Sequence, residues 1–502
     1  MKNNPPNFVI IYGETQGANV VGAYGHEGVE TPNLDRLAAN GTLFTRGYSA
    51  CPVCAPARAG MFTGLYPHST GSWTTNLSLN DNIKTLGQRF QDAGYHTVYT
   101  GKWHLDGHDY FGTGQCPPGW DDEFWYDGKR YLEDLGTEDG YLWRKNLGSL
   151  AALEEHAITP EFTWGHRVIS KAVNFLRKRN SSQPYVLVVA PDEPHHPYTC
   201  PPEYVEKFKD FRYPLGPAAF DTLENKPPHQ QEWAAAIGRE CPDGTITDPL
   251  YFGCNSFIDH EYGRLLDAVE QYSAENTYII MTSDHGELNG AHRLWGKGPV
   301  MYDEITQVPF IIQQPGGEGA GAINPTPVSQ VDILPTMLEL AGLEIPPIME
   351  GNSLTSFLAG EADPKRGIVI TFNRYEIEHD SWGGFQPVRC LVAGQYKLVI
   401  NLLHTDELYD RERDPAEIEN RIDDPEYAHI RDELHTRLID WMNEKRDPFR
   451  GPAWERRPWS ISRRLEWIGK FRPRPADGYA PEVLYYDTGR PAQGVKVEHE
   501  DE

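Results

Sequence analysis

Phe8-Val9-Ile10-Ile11-Tyr12, running straight into Gly13-Glu14-Thr15-Gln16, is the stretch that decides the fold. Five consecutive apolar or aromatic residues leave no polar face, so the run suits a strand covered on both sides. Residues 96–100, 185–190, 278–282 and 309–312 repeat the pattern. Helical stretches lie between them: residues 33–40 begin after Thr31-Pro32 and stop at Gly41, and residues 330–341 stop at Gly342. Proline at the start and glycine just past the end are the expected helix punctuation. Strands separated by helices predict an α/β fold with a large, mostly parallel sheet sandwiched by helices.

After residue 366 the pattern changes. Residues 388–392 and 395–402 read as a strand pair around Ala393-Gly394, and a charged helix follows over 425–445. The chain therefore divides into an N-terminal α/β catalytic domain (1–366), a smaller C-terminal α+β subdomain with an antiparallel sheet (367–446) and an Arg-, Trp- and Pro-rich extension (447–502). The extension carries Trp454, Arg456, Arg457, Trp459, Arg463, Arg464, Trp467, Arg472 and Arg474 without periodicity. Its basic character suits it to wrap an acidic surface, on its own body or on a neighbouring subunit of a homo-oligomer.

Composition narrows the function. Hydrophobic residues make up 39% and aromatics 12% of 502 residues, enough for an ordered core. Asp and Glu number 73 against 46 Lys and Arg, a net charge of −27, which argues against nucleic acid and anionic membrane surfaces as partners. Seven cysteines, an odd and modest count, do not suggest a disulfide framework. No stretch is apolar enough to span a bilayer, and residues 1–12 lack the features of a secretory leader. The expected location is the cytoplasm, or the periplasm if a leader was removed.

In an open parallel sheet, ligands bind beyond the carboxyl ends of the strands. The residues there form a coherent set: Glu14 and Gln16; Lys102 and His104; Asp192, Glu193, His195 and His196; Asp284, His285 and Glu287. Glu14 and Asp284, with Gln16 as a further candidate, offer the oxygen ligands a hard divalent cation needs, and His285 adds a nitrogen. Any one acid after a strand is ordinarily a cap or a solvated charge; Asp284-His285-Gly286 with its glycine turn is less ordinary.

Cys51-Pro52-Val53-Cys54-Ala55-Pro56-Ala57-Arg58 is the most unusual local sequence. Pro56 suits the first turn of a helix that stops at Gly64, which puts Cys54 at the helix amino end with Arg58 one turn on. Three readings stand at this point: a buried structural cysteine, a Cys-x-x-Cys redox pair, and a nucleophile in an anion-binding pocket. Lys102, His104, His195 and Lys297 complete a cationic group suited to a tetrahedral oxyanion during transfer.

Taken together, these segments resemble the formylglycine-dependent sulfatases of the alkaline phosphatase superfamily. The resemblance rests on Cys54-Ala55-Pro56-Ala57-Arg58 with Thr63-Gly64, and on Thr31-Pro32-Asn33-Leu34-Asp35-Arg36, Gly101-Lys102-Trp103-His104, Pro194-His195-His196-Pro197, Ser283-Asp284-His285-Gly286-Glu287 and Val331-Asp332-Ile333-Leu334-Pro335-Thr336. It continues through Glu407-Leu408-Tyr409-Asp410 and covers the chain to about residue 446. It implies an alkaline phosphatase-like fold and a sulfuric ester hydrolase acting on a carbohydrate sulfate or aryl sulfate. Cys54 becomes Cα-formylglycine through a formylglycine-generating enzyme, and its hydrate attacks sulfur. Arg58, Lys102 and Lys297 hold the sulfuryl oxygens, His195 serves the leaving oxygen, and His104 takes a proton from the remaining hydroxyl. Glu14, Cys54, Asp284 and His285 hold Ca²⁺, or alternatively Mn²⁺. Asn76 and His108 are candidates for contact with the alcohol. Trp120, Phe124, Trp125 and Tyr126 are either a sugar platform or core.

One position departs from the pattern: where the family usually has two adjacent aspartates, this chain has Glu14-Thr15. Thr15 is expected to ligate weakly or not at all. Two alternatives follow, a phosphonate monoester or phosphodiester hydrolase of the same superfamily, and a non-catalytic binder of sulfated glycans.

Overall fold

The apolar runs pair into one seven-stranded sheet in a computed structural model that describes residues 5–461 except Glu27, Asn146, Ser181 and 376–384. Its strands are β1 (Asn7–Gly13), β2 (Thr42–Phe44), β3 (His96–Gly101), β4 (Tyr185–Ala190), β5 (Thr277–Ser283), β6 (Phe310–Gln313) and β7 (Ala322–Asn324), in the order β7-β2-β6-β5-β1-β4-β3. β1 lies parallel between β4 and β5, with Val9 opposite Leu187 on one side and Ile279 on the other. The run at 309–312 forms β6, which departs from the parallel pattern and lies antiparallel to both neighbours, β5 and β2. β2 and β7 are three residues each, too short to show a period in sequence.

Alternation along β1 feeds two cores. Val9 and Ile11 join Val168, Ile169, Phe257 and Leu265 on one face; Phe8, Ile10 and Tyr12 join Ala55, Ala59, Phe62 and Leu334 on the other. The first core is covered by α1 (Pro32–Ala39), α3 (Trp164–Lys178) and α5 (Pro249–Ser273), and the second by α2 (Cys54–Thr63) and α6 (Ile333–Leu340). A further helix, α4 (Pro228–Ile237), buries Trp233 and Ala234. Full burial of both faces explains why β1 has no polar position before Gly13. Trp120, Phe124, Trp125 and Tyr126 are all buried, and the Trp120 and Trp125 rings pack edge-on and tilted against Tyr99, with centroids at 5.2 and 5.3 Å. They are core, and no sugar platform.

The C-terminal subdomain is an antiparallel sheet of β8 (Gly367–Phe372), β9 (Val388–Ala393), β10 (Tyr396–Asn401) and β11 (Glu407–Asp410), followed by α7 (Ala428–Glu444). Leu391, Leu398 and Leu408 pack on Leu434, Leu438 and Met442 of α7. The opposite face, through Ile368, Ile370 and Val392, packs on Tyr48, Cys51 and Val53. The sheet thus backs the segment that enters α2, and so helps to place Cys54.

The described part of the extension wraps its own body. Arg389 donates to both carboxylate oxygens of Asp447, at 2.6 and 3.0 Å, with no exposure of either side chain. Arg457 does the same to Asp406 at 2.8 and 2.9 Å. Arg463, Arg464, Trp467, Arg472 and Arg474 lie outside the described residues, as does the part of the extension proposed to reach a neighbouring subunit. All seven cysteines are unpaired. No described helix is long and apolar enough to cross a membrane.

Removing one partner of a buried ion pair leaves an uncompensated charge, so Asp447→Ala should destabilise the protein by about 3–5 kcal/mol. Asp432→Ala, which breaks a pair whose acid is 58% exposed, should change stability by about 1 kcal/mol at most. Urea unfolding of the two variants measures the difference. A second prediction concerns pH. Glu193 is buried against the first turn of α3, and burial, then the neighbouring Asp192, push its carboxyl up to about 8 from 4.5. The folded state therefore keeps a proton that the unfolded chain has lost, and this group's contribution to stability falls as pH rises from 4.5 to about 8. Glu193→Gln should flatten that part of the stability profile.

Candidate active site

The carboxyl ends of β1, β3, β4 and β5 open on one edge, and local backbone chemistry aims their side chains there. Gly101, at φ +114°, ends β3 so close to β4 that a Cβ would lie 1.9 Å from the Ala190 carbonyl oxygen. Only glycine allows this approach; Lys102 N–H then donates to that same carbonyl, and the lysine turns inward. Cys54 is the first residue of α2, after an extended Val53, and the helix ends at Gly64 in the left-handed region as its sequence predicts.

Cys54 Sγ is the meeting point. It lies 3.1 Å from Glu14 Oε1, 3.3 Å from His285 Nε2 and 2.6 Å from Lys297 Nζ. Glu14 Oε2 accepts from Arg58 at 2.6 Å, and Oε1 pairs with Lys102 at 2.9 Å. Asp284 Oδ1 accepts the backbone amides of Thr15 and His285, and Oδ2 lies 3.4 Å from Arg58 Nε. Ser49 and Gln330 hold the Asp284 backbone carbonyl from behind, at 2.5 and 3.0 Å. Glu14, Arg58, Lys102, Asp284 and His285 have no exposed surface.

Glu14, Cys54, Asp284 and His285 place one ligand atom each within 4.8 Å of one another. His285 Nδ1 donates to the Gly286 carbonyl at 2.7 Å, so Nε2 presents its lone pair to the site. The two carboxylates compete for charge. Burial and then Glu14 drive Asp284 well above the usual carboxylate range, whereas Lys102 and Arg58 hold Glu14 well below it despite burial. A buried pair of acids with one pushed to the neutral form fits a place where a divalent cation would let both ionise. The donor set of oxygens, one imidazole and one position on residue 54 thus fits such an ion. Gln16 does not take part: its amide donates to Asn255 at 3.1 Å. Thr15 hydroxyl donates to Glu14 Oε1 at 3.3 Å; it supports a ligand in place of being one.

The histidines flank this centre. His195 Nδ1 donates to the His196 carbonyl at 2.8 Å, which leaves Nε2 3.9 Å from Glu14 Oε1. Burial, then Lys102, holds both His195 and His104 well below the ordinary imidazole range, and both are neutral. His104 is buried, and no side-chain or backbone partner reaches its Nδ1 among the described residues. As an unmodified thiol Cys54 is pushed up to about 12 by burial and by Glu14; it is not a thiolate at neutral pH.

The catalytic and metal candidates read from sequence are thus together at one edge, but the two alcohol-contact candidates are not among the residues that line the adjoining cavity. His108 is exposed and pairs with Asp109 at 3.4 Å, and Asn76 is half-buried in a neighbouring loop. The cavity of about 260 Å³ beside Lys297 is lined by Thr15, Trp233, Glu287, Trp295 and Tyr375, with His195 at its edge. Trp233 and Tyr375 come from distant segments with no sequence signal of their own. Asp192 and Lys102 are both visible as strand-end residues, but their pairing at 3.2 Å is not.

Two family models match the chain: sulfatase over residues 6–343, and the C-terminal region of N-sulphoglucosamine sulphohydrolase over residues 290–444. An uncharacterized sulfatase, YidJ, of Escherichia coli strain K12 is 50% identical over 495 residues, 98% of each chain. Among solved structures, a protein in complex with its substrate D-glucosamine-2-N,6-O-disulfate is 22% identical with a TM-score of 0.73, covering 90% of this chain and 100% of its own. The phosphonate monoester hydrolase of Agrobacterium radiobacter is 24% identical with a TM-score of 0.72, covering 88% of this chain and 96% of its own.

Calcium or manganese added to metal-stripped protein should raise the thermal unfolding temperature, since ligand at about 100 times Kd adds about 2.7 kcal/mol. Glu14→Ala should abolish the rise and Thr15→Ala should keep it. A rise retained in Glu14→Ala would remove Glu14 from the ligand set.

Proposed function

Since the chain belongs to the sulfatase family, the sulfuric ester hydrolases of alkaline phosphatase-like fold, we propose that it hydrolyses sulfate monoesters of a carbohydrate with Cα-formylglycine formed from Cys54. The carrying observation is the packing of Cys54 Sγ among Glu14, His285 and Lys297, at the helix amino end and one turn from Arg58. Residue 54 is made available to a formylglycine-generating enzyme before folding, because its folded position is buried. Once formed, the hydrated aldehyde supplies the nucleophilic oxygen; Glu14, Asp284 and His285 would hold a divalent cation, Ca²⁺ or Mn²⁺, which would supply Lewis acidity beside it.

The chain's own residues do the rest. Arg58, Lys102 and Lys297 hold the sulfuryl oxygens and neutralise the charge that develops on them. Arg58 is pre-aimed by Glu14 and by the Lys102 carbonyl at 2.5 Å, so it needs no reorganisation during the reaction. His195 Nε2 delivers the proton to the leaving alcohol oxygen. A bound sulfate's negative charge opposes the burial and the two ammonium groups that otherwise keep that nitrogen unprotonated. His104 accepts the proton whose loss from the second hydroxyl releases sulfate. The aromatic cavity next to Lys297 receives the alcohol.

Phosphonate monoester hydrolysis is a second reading, favoured by Thr15 at the position of the usual second acid and by a hydrolase of that type with nearly the same TM-score as the sugar-sulfate relative. The non-catalytic binder is set aside: curated relatives bear the names of sulfatases, and the residues proposed above for the chemistry lie within contact of one another.

Mass spectrometry of the tryptic peptide 47–58, from protein made with a formylglycine-generating enzyme, should show aldehyde in place of thiol at residue 54. Cys54→Ala should lose turnover of 4-nitrophenyl sulfate to background while keeping its unfolding transition. Fully active protein with an unmodified Cys54 would overturn the nucleophile. A kcat/KM for phenylphosphonate esters well above that for aryl sulfates would favour the second reading.

A further inference from the structure

Beyond the sulfate-holding cations, the cavity on the alcohol side has a distinctive charge pattern. Among the described residues that line it, Lys297 and Glu287 are the ones that bring an ammonium or a carboxyl group. Lys297 Nζ sits 2.6 Å from Cys54 Sγ, at the sulfate end. His195 and His196 are both held below the ordinary imidazole range by burial. No guanidinium and no second ammonium among these residues faces the alcohol. Among the described residues that line the cavity, a second sulfate or a carboxylate on the substrate would find no cation other than Lys297.

Glu287 is only 7% exposed, and that exposure opens on the cavity. Its Oε1 accepts the Gly296 amide at 2.5 Å and the Asn289 amide at 3.4 Å. No described donor reaches Oε2. The walls are aromatic: Trp233 packs on Gly298, where a Cβ would lie 3.0 Å from its ring, and half-buried Trp295 lies under the Arg239 guanidinium at 5.8 Å. At about 260 Å³ the space is below the ~300–1,000 Å³ typical of drug-sized ligand pockets. It fits one ring, with apolar faces for Trp295 and donors for Glu287.

We propose that Glu287 determines specificity by accepting hydrogen bonds from hydroxyl or ammonium donors on the alcohol, so that the enzyme takes a singly sulfated neutral or amino sugar and rejects one bearing a second anionic group. This rests on the sulfatase reading of the site. A carboxylate on the sugar would face Glu287 as a like charge with Oε2 left unpaired, and such mismatches discriminate strongly. Lys297 and Glu287 then divide the substrate between them: the lysine holds the ester group, and the glutamate reads the ring.

The test is steady-state kcat/KM of the full chain with converted Cys54 on 4-nitrophenyl sulfate, on the singly sulfated isomers of glucose, and on their anionic counterparts: the 2-, 3- and 4-sulfates of glucuronate and, for glucose 6-sulfate, glucose 2,6-disulfate. The expected result is turnover of at least one glucose sulfate, preferred over its anionic counterpart by about tenfold to a hundredfold. Equal or reversed preference overturns the proposal, and so does turnover of the aryl sulfate with no sugar sulfate accepted. Failure on 4-nitrophenyl sulfate as well would instead count against the sulfatase reading. Glu287→Gln keeps an acceptor for Gly296 and Asn289 while presenting an amide N–H₂ to the cavity. It should lower kcat/KM for the glucose sulfate relative to 4-nitrophenyl sulfate by about tenfold and shrink the discrimination against the anionic counterpart. Equal falls on all substrates would assign Glu287 to holding the loop. If the variant does not fold, the wild-type preference alone decides.

Discussion

A carboxylate with no exposed surface persists as an anion only when its charge is matched, and Glu14 is the group around which this site is matched. Arg58 from α2 and Lys102 from the end of β3 both reach it directly, while Lys297 and His195 approach to 3.9 Å. Each of these comes from a different segment, so the pairing of one anion ties four parts of the chain to the end of β1. Cys54 is carried into contact by the same arrangement, because Arg58 sits on the same helix one turn on. The catalytic geometry is therefore inseparable from burial of the central strand.

The net charge of −27 and the chemistry at the centre have opposite signs. Three cations, Arg58, Lys102 and Lys297, converge within a water-poor edge of the sheet. Charges spread over the outer surface are screened over about 10 Å of ordinary salt solution, whereas those inside the cleft are not. The surface charge thus bears on solubility, and the substrate's sign is set locally. Further out, the Glu287 carboxyl lines the cavity that adjoins Lys297.

Much of the fold was legible because burial on both faces of a sheet imposes a continuous apolar run. β1, β3, β4 and β5 carry that signature, and the helices α1 and α2 carry proline and glycine at their ends. The reading was less complete where the signal is short or relational. β2 and β7 are too brief to show a period, and β6 has the composition of its neighbours but the opposite direction. Strand direction depends on the path of the connecting chain, which local composition does not encode. The aromatic stretch from Trp120 to Tyr126 could be core or platform on composition alone, and packing around Tyr99 made it core.

By itself the sequence determined the chemical inventory: a cysteine at a helix amino end, acids and an imidazole after buried strands, and the cations that a transferring oxyanion requires. These are local facts, since strand ends and helix starts are set by neighbouring residues. Tertiary structure decided which of them meet and what lies opposite. It gave Thr15 to Glu14 as a donor, turned Gln16 away to Asn255, left His108 in solvent and brought Trp233 and Tyr375 to one cavity with Glu287. Side chains hundreds of residues apart become neighbours only through the packing of whole elements. No period or motif within a short window can carry that information.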